Sequence, residues 1–194
     1  AKFGLRLPEL EYGPGLPVPY FDGDDFTDTL APAKALVPAL QDVARWAHLT
    51  VEMGRFYTAE CGYYLATTMD CKDHDGQHYC IVDGGMNHLN YLGQIMGMKR
   101  PRLRHFAAQA GQTQDWTLCG SLCTTNDVLV RSFPLTGLRA GDLLVFENAG
   151  AYSVTEGLGL FLSRDLPGIV LWQNGAPQLV RGLTPTYPIN TPNL

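Results

Sequence analysis

Five short stretches of this chain place chemically capable side chains at spacings that a reaction or a charged ligand could use. Glu52-Met53-Gly54-Arg55 sets an acid and a base on either side of a flexible residue; in isolation, an exposed ion pair of this kind contributes little. Gly13-Pro14-Gly15 is a turn whose backbone N–H groups can approach an anion, although Pro14 removes one donor. Cys119 to Asp127 (CGSLCTTND) is dense in polar groups. A thiol there can serve as an acid or a nucleophile if its pKa is tuned, and otherwise it is a buried thiol beside a loop that caps its own backbone. Its C-x3-C spacing differs from the redox C-x2-C pattern. Asn148-Ala149-Gly150-Ala151-Tyr152 combines small residues, which permit close backbone approach, with a phenol that can donate to an anion; the plain alternative is a tight strand end. Cys71, His74, His78 and Cys80 offer zinc-type ligands, but they straddle a tight turn from which four side chains would not all converge.

The elements that must carry these groups change character along the chain. Glu11 to Phe21 (EYGPGLPVPYF) is a Gly/Pro-rich loop, followed by the acidic run Asp22-Gly23-Asp24-Asp25. Ala33 to Ala47 has helical spacing, with Leu36, Leu40, Val43 and Ala47 on one face, and Pro38 is tolerable only near its first turn. His48 to Glu52 reads as a short strand. Loop, helix and strand in that order form a β/α unit, in which ligands sit at the C-terminal ends of strands. Gly13, Gly15, Glu52 and Arg55 lie at such ends.

From Phe56 onward the pattern is β. Tyr63 to Met69 and His78 to Val82 flank an Asp75-Gly76 hairpin turn, and Ile169 to Trp172 and Gln178 to Arg181 flank Asn174-Gly175. Asp127 to Phe133 and Asp142 to Phe146 are further strands. The expected fold is therefore mostly β with a partial α/β segment, ending in a sandwich or barrel. The boundary falls near Gly54 to Gly62.

Composition narrows the partners. The 194 residues carry a net charge of −5 and a pI near 5.4, which argues against nucleic acid as a partner. No apolar run approaches the roughly eighteen residues of a membrane helix. The stretch AKFGLRLPEL reads as neither a signal nor a transit peptide. Five cysteines without a secreted-domain spacing are expected as reduced thiols in the cytoplasm.

The order of the motifs is more specific than any one of them. A Gly-rich loop, then E-x-G-R, then IVDGGMN (Ile81 to Asn87), then G-x-x-C (Gly120 to Cys123), then NAGAY resembles the C-terminal part of the pyridoxal-phosphate decarboxylases of the alanine-racemase fold type. Diaminopimelate, ornithine and arginine decarboxylases belong there. The resemblance runs from about Leu10 onward. It implies that residues 1–55 are the tail of a β/α barrel that binds pyridoxal 5′-phosphate, and that 56–194 form the C-terminal β domain.

The resemblance also implies roles. Gly13 and Gly15 would cradle the cofactor phosphate, with Arg55 and Tyr152 beside it; Gly54 belongs to the same motif. Glu52 would face the pyridine nitrogen and keep it protonated. Cys123 would protonate the carbon left after CO2 departs, reaching the site from the neighbouring subunit of a head-to-tail homodimer. Thr124, Asp127 and Tyr91 fall at substrate-facing positions of an amino-acid decarboxylase.

Some family features have no counterpart. The Schiff-base lysine and a ring-stacking histidine find no matching position: Lys2, Lys34, Lys72 and Lys99 stand in other contexts, and Ala1 to Leu5 is similar to a later family segment. Thr124 follows the cysteine where amine-binding members carry an acid. Asn90 and Tyr91 stand where diaminopimelate enzymes show an arginine; Arg100 and Arg104 are the candidates to compensate. The alternative expectation is a non-catalytic pairing module of the same fold.

Overall fold

The computed structural model describes residues 7–24, 28–93, 96–107 and 109–192; Asp25, Lys2 and the Ala1 to Leu5 segment lie outside them. Strand β1 (Glu9–Tyr12), helix α1 (Ala31–Val43) and strand β2 (His48–Val51) form a βαβ unit. Its two strands are parallel, with Tyr12 opposite Val51, so their C-terminal ends finish side by side. The Glu52 amide extends the ladder by donating to the Tyr12 carbonyl at 3.0 Å.

Leu36, Leu40, Val43 and Ala47 form the less exposed stripe of this helical segment, as its apolar period requires. The helix starts two residues earlier than the pattern indicated, with Pro32 at its first turn, so Pro38 lies in its interior. A proline there deprives the Lys34 carbonyl of its amide partner. The helix also closes at Val43, and a turn carries the chain on to Ala47.

Helix α2 (Gly54–Thr58) and a 3-10 turn at Ala59–Cys61 lead into the main sheet. Its strands are β3 (Tyr64–His74), β4 (Gln77–Val82), β5 (Leu103–Phe106), β6 (Thr113–Cys119), β7 (Val128–Thr136) and β8 (Leu143–Phe146). They lie in the order β5-β8-β3-β4-β6-β7. All neighbours are antiparallel except β4 and β6. The first half of β3 pairs with β8 and its second half with β4. Inward side chains from β3, β4, β6, β7 and β8 enter one cluster, so the sheet wraps around its own core as a nearly closed barrel. Phe146, Leu118, Leu144, Val82 and Val130 are fully buried there, each contributing about 1.5–3 kcal/mol of transfer free energy.

Strands β9 (Ile169–Gln173) and β10 (Ala176–Arg181) make a separate antiparallel hairpin, and a short helix α3 (Tyr187–Asn190) follows. Both hairpin turns are those the sequence marks. Asp75, Gly76, Asn174 and Gly175 all have positive φ, the type I′ geometry that matches strand twist.

The four zinc-type residues do not converge. Cys71 opposes Cys80 and Asp73 opposes His78 across the β3–β4 ladder. His74 points to the opposite face by the two-residue period and pairs with Asp75. Among the described residues, no helix is long and apolar enough to cross a membrane.

Candidate functional site

The parallel register of β1 and β2 brings the glycine loop to the E-x-G-R segment. Gly13 follows β1 and Glu52 follows β2, and a Cβ on Gly13 would lie 3.7 Å from the Glu52 carbonyl oxygen. Two residues on, Gly15 adopts φ +65°, with open space around its α-carbon. The neighbouring Glu52 carboxylate raises the Glu11 carboxyl above its ordinary range, by side-chain hydrogen bonding and then by charge repulsion.

Beyond Glu52 the chain turns into α2, and Tyr152 closes over it. A Cβ on Gly54 would lie 2.9 Å from the Tyr152 Oη, so only glycine leaves the hydroxyl its place. The Arg55 guanidinium stacks 5.1 Å from the Tyr152 ring centroid and 5.9 Å from that of Tyr20. Arg55 Nη2 donates to Glu156 Oε1 at 3.2 Å, and the other carboxylate oxygen of Glu156 accepts the Leu92 amide at 3.1 Å. Tyr20 is pushed up by burial, with Arg55 acting in the opposite sense. Tyr152 itself has φ +56° and is half exposed, so its ring is displayed rather than packed away.

This group suits an anionic ligand. The fork of Arg55 gives one of its five N–H groups to Glu156, and the phenol of Tyr152 stands beside it. The open approach at Gly15 admits a ligand against the backbone, as a phosphate requires.

The thiol motif forms a second group. Asp127 is 2% exposed, and both its carboxylate oxygens are taken: Oδ1 accepts the Met86 amide and Oδ2 the Leu122 amide, each at 2.8 Å. Gly85 and Gly120 make the room, since a Cβ on either would strike this carboxylate. Burial raises the Asp127 pKa, and the two amides oppose that rise. The loop is further tied by Ser121 N to Gly84 O at 2.7 Å and by Arg164 to the Ser121 hydroxyl at 3.0 Å. Cys123 is thereby displayed, exposed, on a loop with buried anchors. Thr124 is half-buried beside it, and its hydroxyl accepts the Asn126 amide at 3.3 Å.

Two of the three residues expected at the substrate also hold the fold together. Asp127 anchors its loop by accepting the Met86 and Leu122 amides. Tyr91 is 3% exposed, donates its hydroxyl to the Glu147 carbonyl, and packs against Tyr20 and Phe21. Its ring therefore supports Tyr20 beneath Arg55. The structure brings together Gly13 with Glu52, and Gly54 with Arg55 and Tyr152. Among the described residues, no hydrogen bond or ring contact joins Cys123 to Arg55 or Tyr152. Glu11, Tyr20 and Glu156 complete the first group and escaped sequence reasoning. Glu156 alone carried a signal, standing one turn beyond Tyr152, whose carbonyl accepts the Glu156 amide at 2.7 Å.

This combination of sheet domain, glycine loop and displayed thiol defines a class. Residues 25–150 match the sequence model described as pyridoxal-dependent decarboxylase, C-terminal sheet domain, and the chain belongs to that family. It is 27% identical over 191 residues to the L-glutamyl-[BtrI acyl-carrier protein] decarboxylase of Niallia circulans, covering 93% of this chain and 44% of that protein. It is 29% identical over 203 residues to the diaminopimelate decarboxylase of Escherichia coli (strain K12), covering 93% of this chain and 46% of that one. A crystal structure of a diaminopimelate decarboxylase superposes with a TM-score of 0.82 at 28% identity, covering 97% of this chain and 48% of its own. The chain thus spans about half the length of the curated relatives it matches.

Proposed function

We propose that this chain supplies the C-terminal part of the active site of a pyridoxal-phosphate-dependent amino-acid decarboxylase acting on a basic or related amino acid, as its diaminopimelate decarboxylase relatives do. Residues 1–55 are the end of the cofactor-binding β/α barrel, and 56–194 are the β domain. The observation that carries this reading is the stack of Arg55 on Tyr152 above Gly54, at the C-terminal ends of β1 and β2.

In this reading, the Gly13 and Gly15 amides, Arg55 and the Tyr152 hydroxyl bind the cofactor phosphate, and Glu52 accepts the pyridine N–H. The bound cofactor supplies a ring that accepts the electron pair left when CO2 departs. Cys123, contributed by the second copy of a head-to-tail homodimer, gives its proton to the carbon that lost CO2. Its exposure lets solvent return that proton. Thr124 faces the substrate beside it. Free thiols suit the reducing cytoplasm.

The test is CO2 release by the full-length protein from diaminopimelate, ornithine and lysine. Cys123→Ala is expected to lower turnover about a hundredfold and to alter the products. Unchanged rate and products would remove Cys123 from the reaction, and no release from any of the three would contradict the substrate class.

A further inference from the structure

Cys71 and Cys80 lie directly opposite each other in the β3–β4 ladder. The turn between them fixes what kind of pair they form. Asp75 and Gly76 make a two-residue turn with positive φ at both positions, so the flanking pair His74–Gln77 is of the hydrogen-bonded type. Pairs alternate from there: Asp73–His78 is non-hydrogen-bonded, Lys72–Tyr79 hydrogen-bonded and Cys71–Cys80 non-hydrogen-bonded. Non-hydrogen-bonded pairs have the closer side chains and Cα atoms about 4.5 Å apart. That is within, and at the short end of, the separation a disulfide spans. The two thiols also differ in access. Cys80 is fully buried in the core, whereas Cys71 is half-buried at the rim of the same cluster.

We propose that Cys71 and Cys80 form a reversible cross-strand disulfide when the protein meets a small-molecule disulfide such as glutathione disulfide. The Cys71 thiolate attacks one sulfur of the oxidant, forming a mixed disulfide and expelling one glutathione thiolate. Cys80 then attacks the Cys71 sulfur, closing the intramolecular bond and expelling the second glutathione. The two protons of the protein thiols end on the two glutathiones, and the two electrons pass to the oxidant. The bond clamps the register of β3 on β4 next to the irregularity between Thr68 and Asp70. This inference is independent of the decarboxylase reading.

Burial holds both thiols above the ordinary thiol range, so closure is slow, and the proximity of the pair rather than thiolate abundance selects it. The test is incubation of the full chain with glutathione disulfide, alkylation of the remaining thiols and peptide mapping. The expected result is a Cys71–Cys80 cross-linked peptide that dithiothreitol reverses and that persists in a Cys61→Ser/Cys123→Ser variant. Oxidation is also expected to raise the melting temperature, a shift lost in Cys71→Ser, which changes only the rim thiol. Both thiols remaining alkylatable, a lasting glutathione adduct on Cys71, or a bond from Cys80 to Cys119 would each overturn the proposal.

Discussion

The hydroxyl of Tyr152 occupies the space that any side chain on Gly54 would need, with 2.9 Å between the Oη and the position of a Cβ. The atom in the way is the far end of a side chain, so Gly54→Ala can be accommodated by moving the phenol. Its stability is expected to stay within about 0.5 kcal/mol of wild type. The affinity of the full-length protein for pyridoxal 5′-phosphate is expected to fall about tenfold, the worth of one hydrogen bond to a charged group. Urea unfolding and a cofactor titration measure the two effects separately.

The glycines behind Tyr152 behave differently, because backbone fills their space. A Cβ on Gly150 would lie 2.0 Å from the Thr58 carbonyl oxygen, and one on Gly62 would lie 2.3 Å from the Gly150 α-carbon. Neither obstacle can rotate away. Gly150→Ala and Gly62→Ala are each expected to cost about 3 kcal/mol or more, read as a lower urea midpoint with the slope preserved.

Asp127 tests whether the Cys123 loop depends on its buried anchor. Asp127→Ala leaves the Met86 and Leu122 amides without acceptors, and is expected to cost about 2–4 kcal/mol. Asp127→Asn retains one acceptor and should fall between that variant and wild type. Equal stability of all three proteins would show that the amides find other partners.

Alkaline pH should weaken the fold. Burial raises the pKa of Tyr64, Tyr91, Cys80, Cys71 and Cys119. In the unfolded chain, thiols lose their protons near about pH 8.5 and phenols near about pH 10. The unfolded state then binds fewer protons than the folded one, so the stabilisation is complete below those values and declines as pH rises through them. Melting temperatures are expected to be steady near pH 7 and to fall above about pH 8.5. Tyr64→Phe should reduce that slope above about pH 10.

Much of this architecture was legible because the strongest signals are local. The DG and NG turns at Asp75 and Asn174 can only be built with left-handed backbone, so they marked both hairpins. The stripe from Leu36 to Ala47 marked α1. Strand β6 escaped because Gln114 and Asp115 break its apolar alternation, although Trp116 and Leu118 point inward. Strand β1 escaped because its two glutamates and its glycine-rich continuation read as loop. At the site, the E-x-G-R and NAGAY motifs point to Gly54, Arg55 and Tyr152. Tyr20, Glu11 and Glu156 join them through contacts between distant parts of the chain that no local pattern encodes. The bonds from Tyr91 and Asp127 to backbone groups of the chain itself were not legible, because sequence does not show where a polar side chain finds its partner.

If Arg55 and Tyr152 hold a phosphate, the ratio of affinities for pyridoxal 5′-phosphate and for pyridoxal must depend on Arg55. The ratio is measured by titrating each compound into the full-length protein, wild type and Arg55→Met. It is expected to be large in wild type and to fall at least tenfold in the variant, as loss of a charge-assisted bond requires, with pyridoxal affinity itself little changed. A ratio that is the same in both proteins would show that Arg55 does not hold the phosphate.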